Sequence, residues 1–426
     1  MGLNKLVDAR DQRYVLFEML NIDKLSDEKH FSEFDRETYE ATLELAEQIA
    51  VSQIYPFNME ADKTGVKYDP VTKNVKVPEP YKPAIASFNE AGFPGLAFPP
   101  EIGGMGMPVI MNIATNEIFN AGSIAWNMFT ILSGGALGLI KNFYFGPGRD
   151  VIIEKMIAGE WGGTMCLTEP DAGSDVGALK TKAIRQPDGT FRIVGQKIFI
   201  SAGENDIYKN IIHPVLARIE GDPPGTRGIS IFMVPKYHIN PDGSLGKKND
   251  VVCTGVEHKM GIHGSPTCSL SFGDNGECVG YLMGNEREGM KIMFQMMNEA
   301  RLQVANQALA VSSSAYLHAV TYAKNRKQMP HVMRLQDPGA PSVPIIEHPD
   351  VKRMLLFMKT QVEAMRMATY FTAYNIDVAH TRGGEEAKEA QALVDFLIPV
   401  CKAGNSDLAW LVTAEAMQVY GGYGYC

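Results

Sequence analysis

The sequence predicts an α+β multidomain fold: an N-terminal α-helical domain, a middle antiparallel β-barrel domain and a C-terminal α-helical bundle. Three zones with different hydrophobic periods predict this order. Residues 1–160 mostly repeat apolar positions every three or four residues, and residues 161–285 contain short strand-like runs between turn residues. Residues 286–426 return to long helical patterns. We therefore place the domain boundaries near residues 160 and 285.

Composition is that of an ordinary globular protein and excludes some kinds of partner. The chain has 426 residues, of which 45% are hydrophobic and 21% charged, enough for two or three units with large cores. Its net charge of -9 is modest, and lysine and arginine form no long block. We therefore expect neither a nucleic-acid partner nor a membrane partner.

The cysteines and the N-terminus both favour a cytoplasmic location. Six cysteines lie far apart without a CxxC pair, so neither a disulfide framework nor a zinc site is indicated. The first twenty residues mix charges of both signs and lack the apolar run of a secretory signal. We expect a reducing compartment and no resident metal.

The N-terminal zone contains an uncharged run over residues 121–140. It carries Asn127, several hydroxyl groups and glycines, which are unusual in a membrane span. We predict instead a pair of buried core helices with a break near Ser133, Gly134 and Gly135.

Turn residues organise the other two zones. Asp188-Gly189 between alternating runs is a strong hairpin signal, and the strand-like runs after it favour an antiparallel barrel or sandwich over a βαβ sheet. Beyond residue 286 three long helical patterns follow, with a Pro-rich loop at 329–344 and a break at Gly383-Gly384. Long helices of this kind bury their apolar faces in a bundle.

Residues 164–175 read TMCLTEPDAGSD and allow two interpretations. The segment could be a capped turn, or a loop whose amides and hydroxyl groups bind a ligand rich in acceptors. Composition alone favours the turn. Dinucleotide-fold, P-loop, zinc-protease and α/β-hydrolase motifs are absent from the sequence, which removes the main support for those classes.

The segments around this stretch change that interpretation. In order along the chain they read TEPDAGSDVGALKTKA, GQKIFISAGEND, GTRGISIFMVP, HKMGIHGSPTCSLSFGD, GNEREGMKIMFQMMNEARLQVANQALA, NRKQ, EHPDVKRMLL and QVYGGYGY. Together they closely resemble the acyl-CoA dehydrogenase family of flavoenzymes over residues 90–426. The long N-terminal lead, with RDQRYVLFEMLNIDKL at residues 10–25, and the insert PHVMRLQDPGAPSVP at residues 330–344 resemble a bacterial branch of the family. That branch includes the 3-methylmercaptopropionyl-CoA dehydrogenases, whose chains are longer.

The resemblance implies FAD as cofactor and assigns residues to its ring system. Met165, Leu167 and Thr168 match main-chain amides and a hydroxyl group that bond the isoalloxazine edge. Phe199 and Ser201 match an aromatic residue and a hydroxyl residue beside the ring; the family often has tryptophan where Phe199 stands.

The same resemblance assigns the remainder of the cofactor. Gly173 and Ser174 match positions where the FAD pyrophosphate and the CoA arm approach closely. Arg326 and Gln328 match positions that reach the FAD of a neighbouring subunit, which implies a homodimer or homotetramer. The adenine and ribose side corresponds to Gln418, Gly421 and Gly422.

For the acyl-CoA substrate, the resemblance points to Ser174, Asn298 and Arg301. Asn298 and Arg301 match positions that contact the pantetheine arm and support the reacting end. Nearby are Met290, Met293, Met296 and Met297, whose helical spacing predicts core packing. Flexible methionines could also line an acyl cavity.

The family reaction needs a carboxylate base, which the sequence does not identify. In most members the base is a glutamate about twenty residues after the glycine-rich motif that reads GGYGYC here and ends at Cys426. In a minority the base directly precedes the arginine that corresponds to Arg301, which is the position of Ala300 in this chain. Glu299 is one residue away, about 100° around the helix. We expect the base beyond Cys426, in a longer protein of which this chain is a C-terminally shortened form, with Glu299 as the secondary candidate.

The implied activity is FAD-dependent dehydrogenation of an acyl-CoA to the trans-2-enoyl-CoA, with electrons passed to an electron-transferring flavoprotein. Two alternatives stay open. One is an acyl-CoA oxidase or nitroalkane-oxidase-like flavoenzyme, which would return electrons to oxygen. The other is a flavin-bearing protein of the DNA-associated kind, or another non-catalytic binding protein.

Overall fold

A computed structural model describes residues 4–426. Contacts divide the chain into two compact units. The helical unit comprises Met1–Ser52, Met107–Gly122 and Arg301–Cys426, and the barrel unit comprises Gln53–Gly106 and Ser123–Ala300. The helix–strand–helix order predicted from hydrophobic period is confirmed.

The helices and strands have the following bounds. The α-helices are α1 Ala9–Arg13, α2 Arg36–Ile49, α3 Tyr55–Thr64, α4 Tyr81–Glu90, α5 Val109–Gly122, α6 Ile124–Phe143, α7 Arg149–Ile157, α8 Gly289–Asn325, α9 Pro349–Thr381, α10 Gly384–Tyr420 and α11 Gly422–Tyr425. The strands are β1 Lys67–Tyr68, β2 Val75–Lys76, β3 Trp161–Gly163, β4 Lys182–Arg185, β5 Phe191–Ser201, β6 Asn210–Ile219, β7 Ile229–Pro235, β8 Tyr237–Ile239, β9 Leu245–Lys248, β10 Val251–Val256, β11 Thr267–Phe272 and β12 Val279–Leu282.

The barrel unit is built on an eight-stranded sheet. Its order is β10-β11-β5-β12-β7-β6-β3, and β4 pairs with both β5 and β6. Pairing is antiparallel except where β3 and β4 run parallel to β6. The hairpin predicted at Asp188-Gly189 joins β4 to β5, with Gly189 at φ +83°. Phe191, Phe232 and Phe272 lie in the apolar core of this sheet.

The helical unit is held by a buried polar network as well as by apolar packing. Arg366 on α9 donates to Glu117 on α5 through Nε and Nη2, the latter at 2.7 Å, and both side chains are fully buried. The Tyr370 hydroxyl donates to Glu117 at 2.5 Å, and Gln12 on α1 donates to Tyr370 at 2.7 Å. One carboxylate therefore links α5 and α9, and through Tyr370 the link extends to α1.

The predicted break near Ser133, Gly134 and Gly135 is wrong. A single helix, α6, runs through all three residues, and the chain breaks earlier, at Ser123, whose hydroxyl accepts the Trp126 amide at 3.3 Å. Each interior glycine costs a helix only about 1 kcal/mol, which burial of the remaining face can offset.

Helix α6 also has the length and composition of a membrane span. It is the one such helix within residues 4–426, and 61% of its most apolar window is buried inside the protein. The break predicted at Gly383-Gly384 is confirmed, because α9 ends at Thr381 and α10 begins at Gly384, with φ +67°.

Candidate cofactor and substrate site

Residues 164–168 form an extended edge beside β6 in the barrel unit. The Thr164 amide donates to Ile212 at 3.1 Å, and the Cys166 amide donates to Pro214 at 3.0 Å. Successive amides of an extended chain point to opposite sides, so the amides of Met165 and Leu167 point away from β6. Neither amide, nor that of Thr168, has a hydrogen-bond partner among residues 4–426. The Thr168 carbonyl accepts the Ile198 amide of β5 at 2.9 Å, so the alternation along β6 ends before Thr168. The edge thus presents free donors to an acceptor-rich ligand.

Phe199 has an unusual backbone conformation on the neighbouring strand β5. Its φ is +58°, and the residue is 58% exposed. Ile200 pairs with Cys268 and Lys197 with Leu270, so two residues of β5 face one residue of β11 in a β-bulge. A bulge re-aims side chains, and here it displays an aromatic ring on the surface. Ser201, two residues on, pairs with Thr267 at the end of the ladder.

The loop after Thr168 is open at the residues assigned to close ligand approach. Gly173 and Ser174 are exposed, and a Cβ built on Gly173 would meet no atom within 4 Å. Glu169 and Asp171 bond lysines instead, Lys197 at 2.8 Å and Lys180 at 2.6 Å respectively. Both acids therefore have structural contacts.

The first turns of α8 pack on the same core as the edge. Met293 and Met296 are buried, while Met290 and Met297 are partly buried against the core cluster that Met165 and Leu167 also contact. The methionines are thus largely core, as their spacing predicts. Asn298 follows them, half-buried, in this unit.

Glu299 and Arg301 lie on opposite sides of the division between the units. Glu299 Oε2 lies 3.8 Å from the position a Cβ would take on Gly138, and the side chain is reached by solvent. Desolvation by the surrounding protein raises the pKa of this carboxyl above its usual range, although contact with solvent limits the effect. Arg301 is half-buried in the helical unit.

A second group of assigned residues lines a cavity in the helical unit. The cavity measures about 340 Å³, and its lining comprises Tyr322, Arg326, Gln328, Ile345, Val419, Tyr420, Gly421, Gly422, Tyr423 and Cys426. Arg326 donates to Gln328 at 3.2 Å and forms no ion pair within the described residues.

The glycines of this cavity leave room for a ligand. Cβ atoms built on Gly421 and Gly422 would meet nothing within 4 Å, and Gly421 has φ +59°. The rings of Tyr322 and Tyr420 stack at 4.3 Å. Gln418 is exposed one turn before Gly421, and its side chain is outside the cavity lining. An arginine that forms no ion pair within residues 4–426, an amide and open backbone suit a phosphate-bearing ligand.

Sequence reasoning missed Lys197, which is fully buried beneath the edge. The alternation of inward and outward side chains along β5 could have identified it. Phe191 and Ile193 point into the barrel, and Lys197 has the same parity. A lysine at an inward position of a strand requires a buried partner.

Profile comparisons identify two domains of one family. Residues 164–275 match "Acyl-CoA dehydrogenase, middle domain", and residues 287–426 match "Acyl-CoA dehydrogenase, C-terminal domain".

Whole-chain comparisons agree with the profiles. The chain is 40% identical to butyryl-CoA dehydrogenase of Syntrophomonas wolfei over 431 residues, covering 99% of this chain and 70% of the relative. It is 37% identical to 3-methylmercaptopropionyl-CoA dehydrogenase of Ruegeria pomeroyi, covering 93% of this chain and 66% of the relative. The solved butyryl-CoA dehydrogenase of Megasphaera elsdenii superimposes with a TM-score of 0.70 at 27% identity, covering 91% of this chain and 89% of that one. The chain belongs to the acyl-CoA dehydrogenase family.

Proposed function

We propose that this protein is an FAD-dependent dehydrogenase of straight-chain acyl-CoA thioesters. The observation that carries the proposal is the row of free amides at Met165, Leu167 and Thr168 beside the exposed ring of Phe199. A flavin offers a polar edge and a flat face, which need donors and an aromatic surface respectively. Similarity to a butyryl-CoA dehydrogenase supports an unbranched acyl chain.

The barrel unit would hold the flavin ring. Fixed amides and the Thr168 hydroxyl would stabilise negative charge on the ring edge, and Phe199 and Ser201 would lie beside it. When bound, FAD supplies the acceptor for the β-hydrogen, which leaves the substrate as hydride while a carboxylate removes the α-proton. The product is the trans-2-enoyl-CoA.

The cavity of the helical unit would receive the other end of FAD from a neighbouring subunit. Arg326 can bond two oxygens of a pyrophosphate at once, and Gln328 can bond one more group. Gly421 and Gly422 leave backbone open to the adenine and ribose. Gln418, which is exposed one turn earlier on α10, would reach the same end of the ligand from outside the cavity lining. This arrangement requires a homodimer or homotetramer.

The substrate would lie along the start of α8. Ser174, Asn298 and Arg301 are the proposed contacts for the CoA arm and the reacting end. The partly buried side chains of Met297, Met165 and Leu167 share one apolar core, which can extend a wall along an acyl chain.

Anaerobic mixing tests the proposal directly. The FAD-loaded protein is mixed with butyryl-CoA, longer straight-chain acyl-CoAs and 3-methylmercaptopropionyl-CoA, and the flavin absorbance is followed. We expect bleaching with at least one thioester that persists in air until an electron-transferring flavoprotein is added. No bleaching with any thioester contradicts dehydrogenation and favours a non-catalytic flavoprotein. Bleaching that reverses rapidly in air favours an oxidase.

The identity of the base is tested by Glu299→Gln. We expect the variant to keep substrate-dependent bleaching at close to the wild-type rate, because Glu299 is turned about 100° from the position of Ala300. Stopped-flow measurement of the bleaching rate checks this, with Gln295→Ala on the same helix as control. A loss of about a thousandfold or more specific to Glu299→Gln would instead assign the base to Glu299.

A further inference from the structure

A buried ion pair lies directly beneath the edge of free amides. Lys197 Nζ donates to Glu169 Oε1 at 2.8 Å, and the two side chains are 0% and 5% exposed. The same Nζ donates to the Leu167 carbonyl at 3.0 Å. The ammonium group therefore bonds both the main chain of the edge and the first acid after it.

The bond to the Leu167 carbonyl determines which way an amide points. The peptide bond between Leu167 and Thr168 is trans, so its N–H points opposite to its C=O. Lys197 holds the carbonyl toward the buried side, and the Thr168 amide consequently points away from Lys197, where residues 4–426 offer it no partner. A buried lysine thus orients a donor that we assign to the flavin.

Glu169, the partner of Lys197, is itself held by main-chain hydrogen bonds. Its carboxylate accepts the Lys180 amide at 2.6 Å and the Thr181 amide at 3.1 Å, so it joins the loop to the start of β4. The Ile198 amide donates to the Thr168 carbonyl at 2.9 Å. The pair and its bonds connect the edge, β4 and the strand that carries Phe199.

Stability alone is a weak explanation for such a pair. Two buried charges cost several kcal/mol in desolvation, and apolar replacements of similar volume are often neutral or stabilising. The barrel unit also contains a matched comparison, Lys236 with Glu204, whose side chains are 8% and 6% exposed. Lys236 makes no hydrogen bond to the edge.

We propose that Lys197 and Glu169 are positioning residues that hold the Leu167–Thr168 peptide with its amide directed at the flavin. The inference rests on the proposed function and deepens it. Neither residue contacts the reacting atoms in this arrangement. Both act through the main chain of the edge.

Lys197→Met tests the inference, with Lys236→Met as the matched control. We expect Lys197→Met to bind FAD about tenfold or more weakly and to shift the flavin midpoint potential to more negative values, because an amide that stabilises the reduced ring is no longer held. Lys236→Met should leave both quantities near the wild-type values. Equal effects of the two substitutions, or no effect of Lys197→Met, would overturn the proposal.

A double variant separates positioning from folding. Lys197→Met with Glu169→Gln removes both charges and keeps one side-chain oxygen, which can accept one of the two amides of residues 180 and 181, so thermal stability should recover part of the way toward wild type. FAD affinity should stay low, because the Leu167 carbonyl has still lost its donor. Recovery of affinity together with stability would contradict a positioning role. Wild-type protein that binds no FAD would refute the proposed function itself, whereas tight wild-type binding with unchanged variants refutes the positioning role alone.

Discussion

Phe199 combines two features that stability does not explain. A bulky residue with φ +58° is a backbone outlier, and this residue is 58% exposed, so little burial offsets the strain. The left-handed conformation costs a non-glycine residue roughly 1–2 kcal/mol. Strain at an exposed aromatic ring indicates a role for the ring in binding.

Phe199→Gly tests that role at the level of one residue. Glycine adopts φ +58° without strain, and this gain roughly offsets its extra chain entropy, so the thermal midpoint without FAD should change little or rise. FAD affinity should fall about tenfold, because stacking on the ring is lost. Thermal unfolding and fluorescence titration with FAD measure the two effects.

Phe199→Trp is the control, since it keeps an aromatic surface at this position. It should bind FAD nearly as well as wild type. A Phe199→Gly variant with wild-type affinity would show that the ring does not contact the cofactor.

Helix α5 shows how one buried acid can organise an element. Asp377 on α9 is 1% exposed and accepts the amides of Val109 at 2.6 Å and Ile110 at 2.9 Å, which are free donors at the start of α5. Burial raises the pKa of Asp377 to about 7, and the two amide bonds oppose that shift only in part. The contact between α9 and α5 should therefore depend on pH near neutrality.

The direction of that dependence follows from proton binding. Between pH 4 and pH 7 the folded carboxyl keeps a proton that the unfolded chain has released, so rising pH favours unfolding. The stability advantage of wild type over Asp377→Asn should fall by on the order of 2 kcal/mol from pH 5 to pH 7 and then level off. Urea unfolding of both proteins at pH 5, 6, 7 and 8 measures it. A difference that is constant with pH would contradict the raised pKa.

At the scale of the whole molecule, the proposed FAD site combines the barrel unit of one subunit with the helical unit of another. A two-fold symmetric dimer has two equivalent sites. Each copy would supply its barrel unit to one site and its helical unit to the other. In the helical unit Arg326 is exposed and the cavity glycines are open, and in the barrel unit Phe199 is exposed. Both surfaces are therefore available to contact a ligand.

Mixing two variants tests this arrangement. Phe199→Gly and Arg326→Met should each bind FAD weakly as homo-oligomers. A dimer with one copy of each would have one site with both substitutions and one with neither, so about half of the wild-type binding should return. Tagged co-expression, purification of the mixed species and FAD titration measure the recovery. A mixed oligomer without recovery would place both residues in sites formed within one chain.

The order of the zones, the hairpin at Asp188-Gly189, the helix break at Gly383-Gly384 and the family were determined by the sequence itself. Each depends on local period, on turn chemistry or on motifs read within short segments. Tertiary structure alone decided that α6 continues through Gly134 and Gly135, because burial by distant residues outweighs local helix propensity.

Contacts between separate segments also decided the details of the candidate site. The free amides of Met165 and Leu167 depend on which side of the edge β6 occupies, and the conformation of Phe199 depends on its pairing with β11. Lys197 lies 28 residues from Glu169 along the chain, and only the fold brings their charges to 2.8 Å in a buried site. No local sequence pattern predicts this contact, because it depends on how the strands of the barrel pack around both side chains.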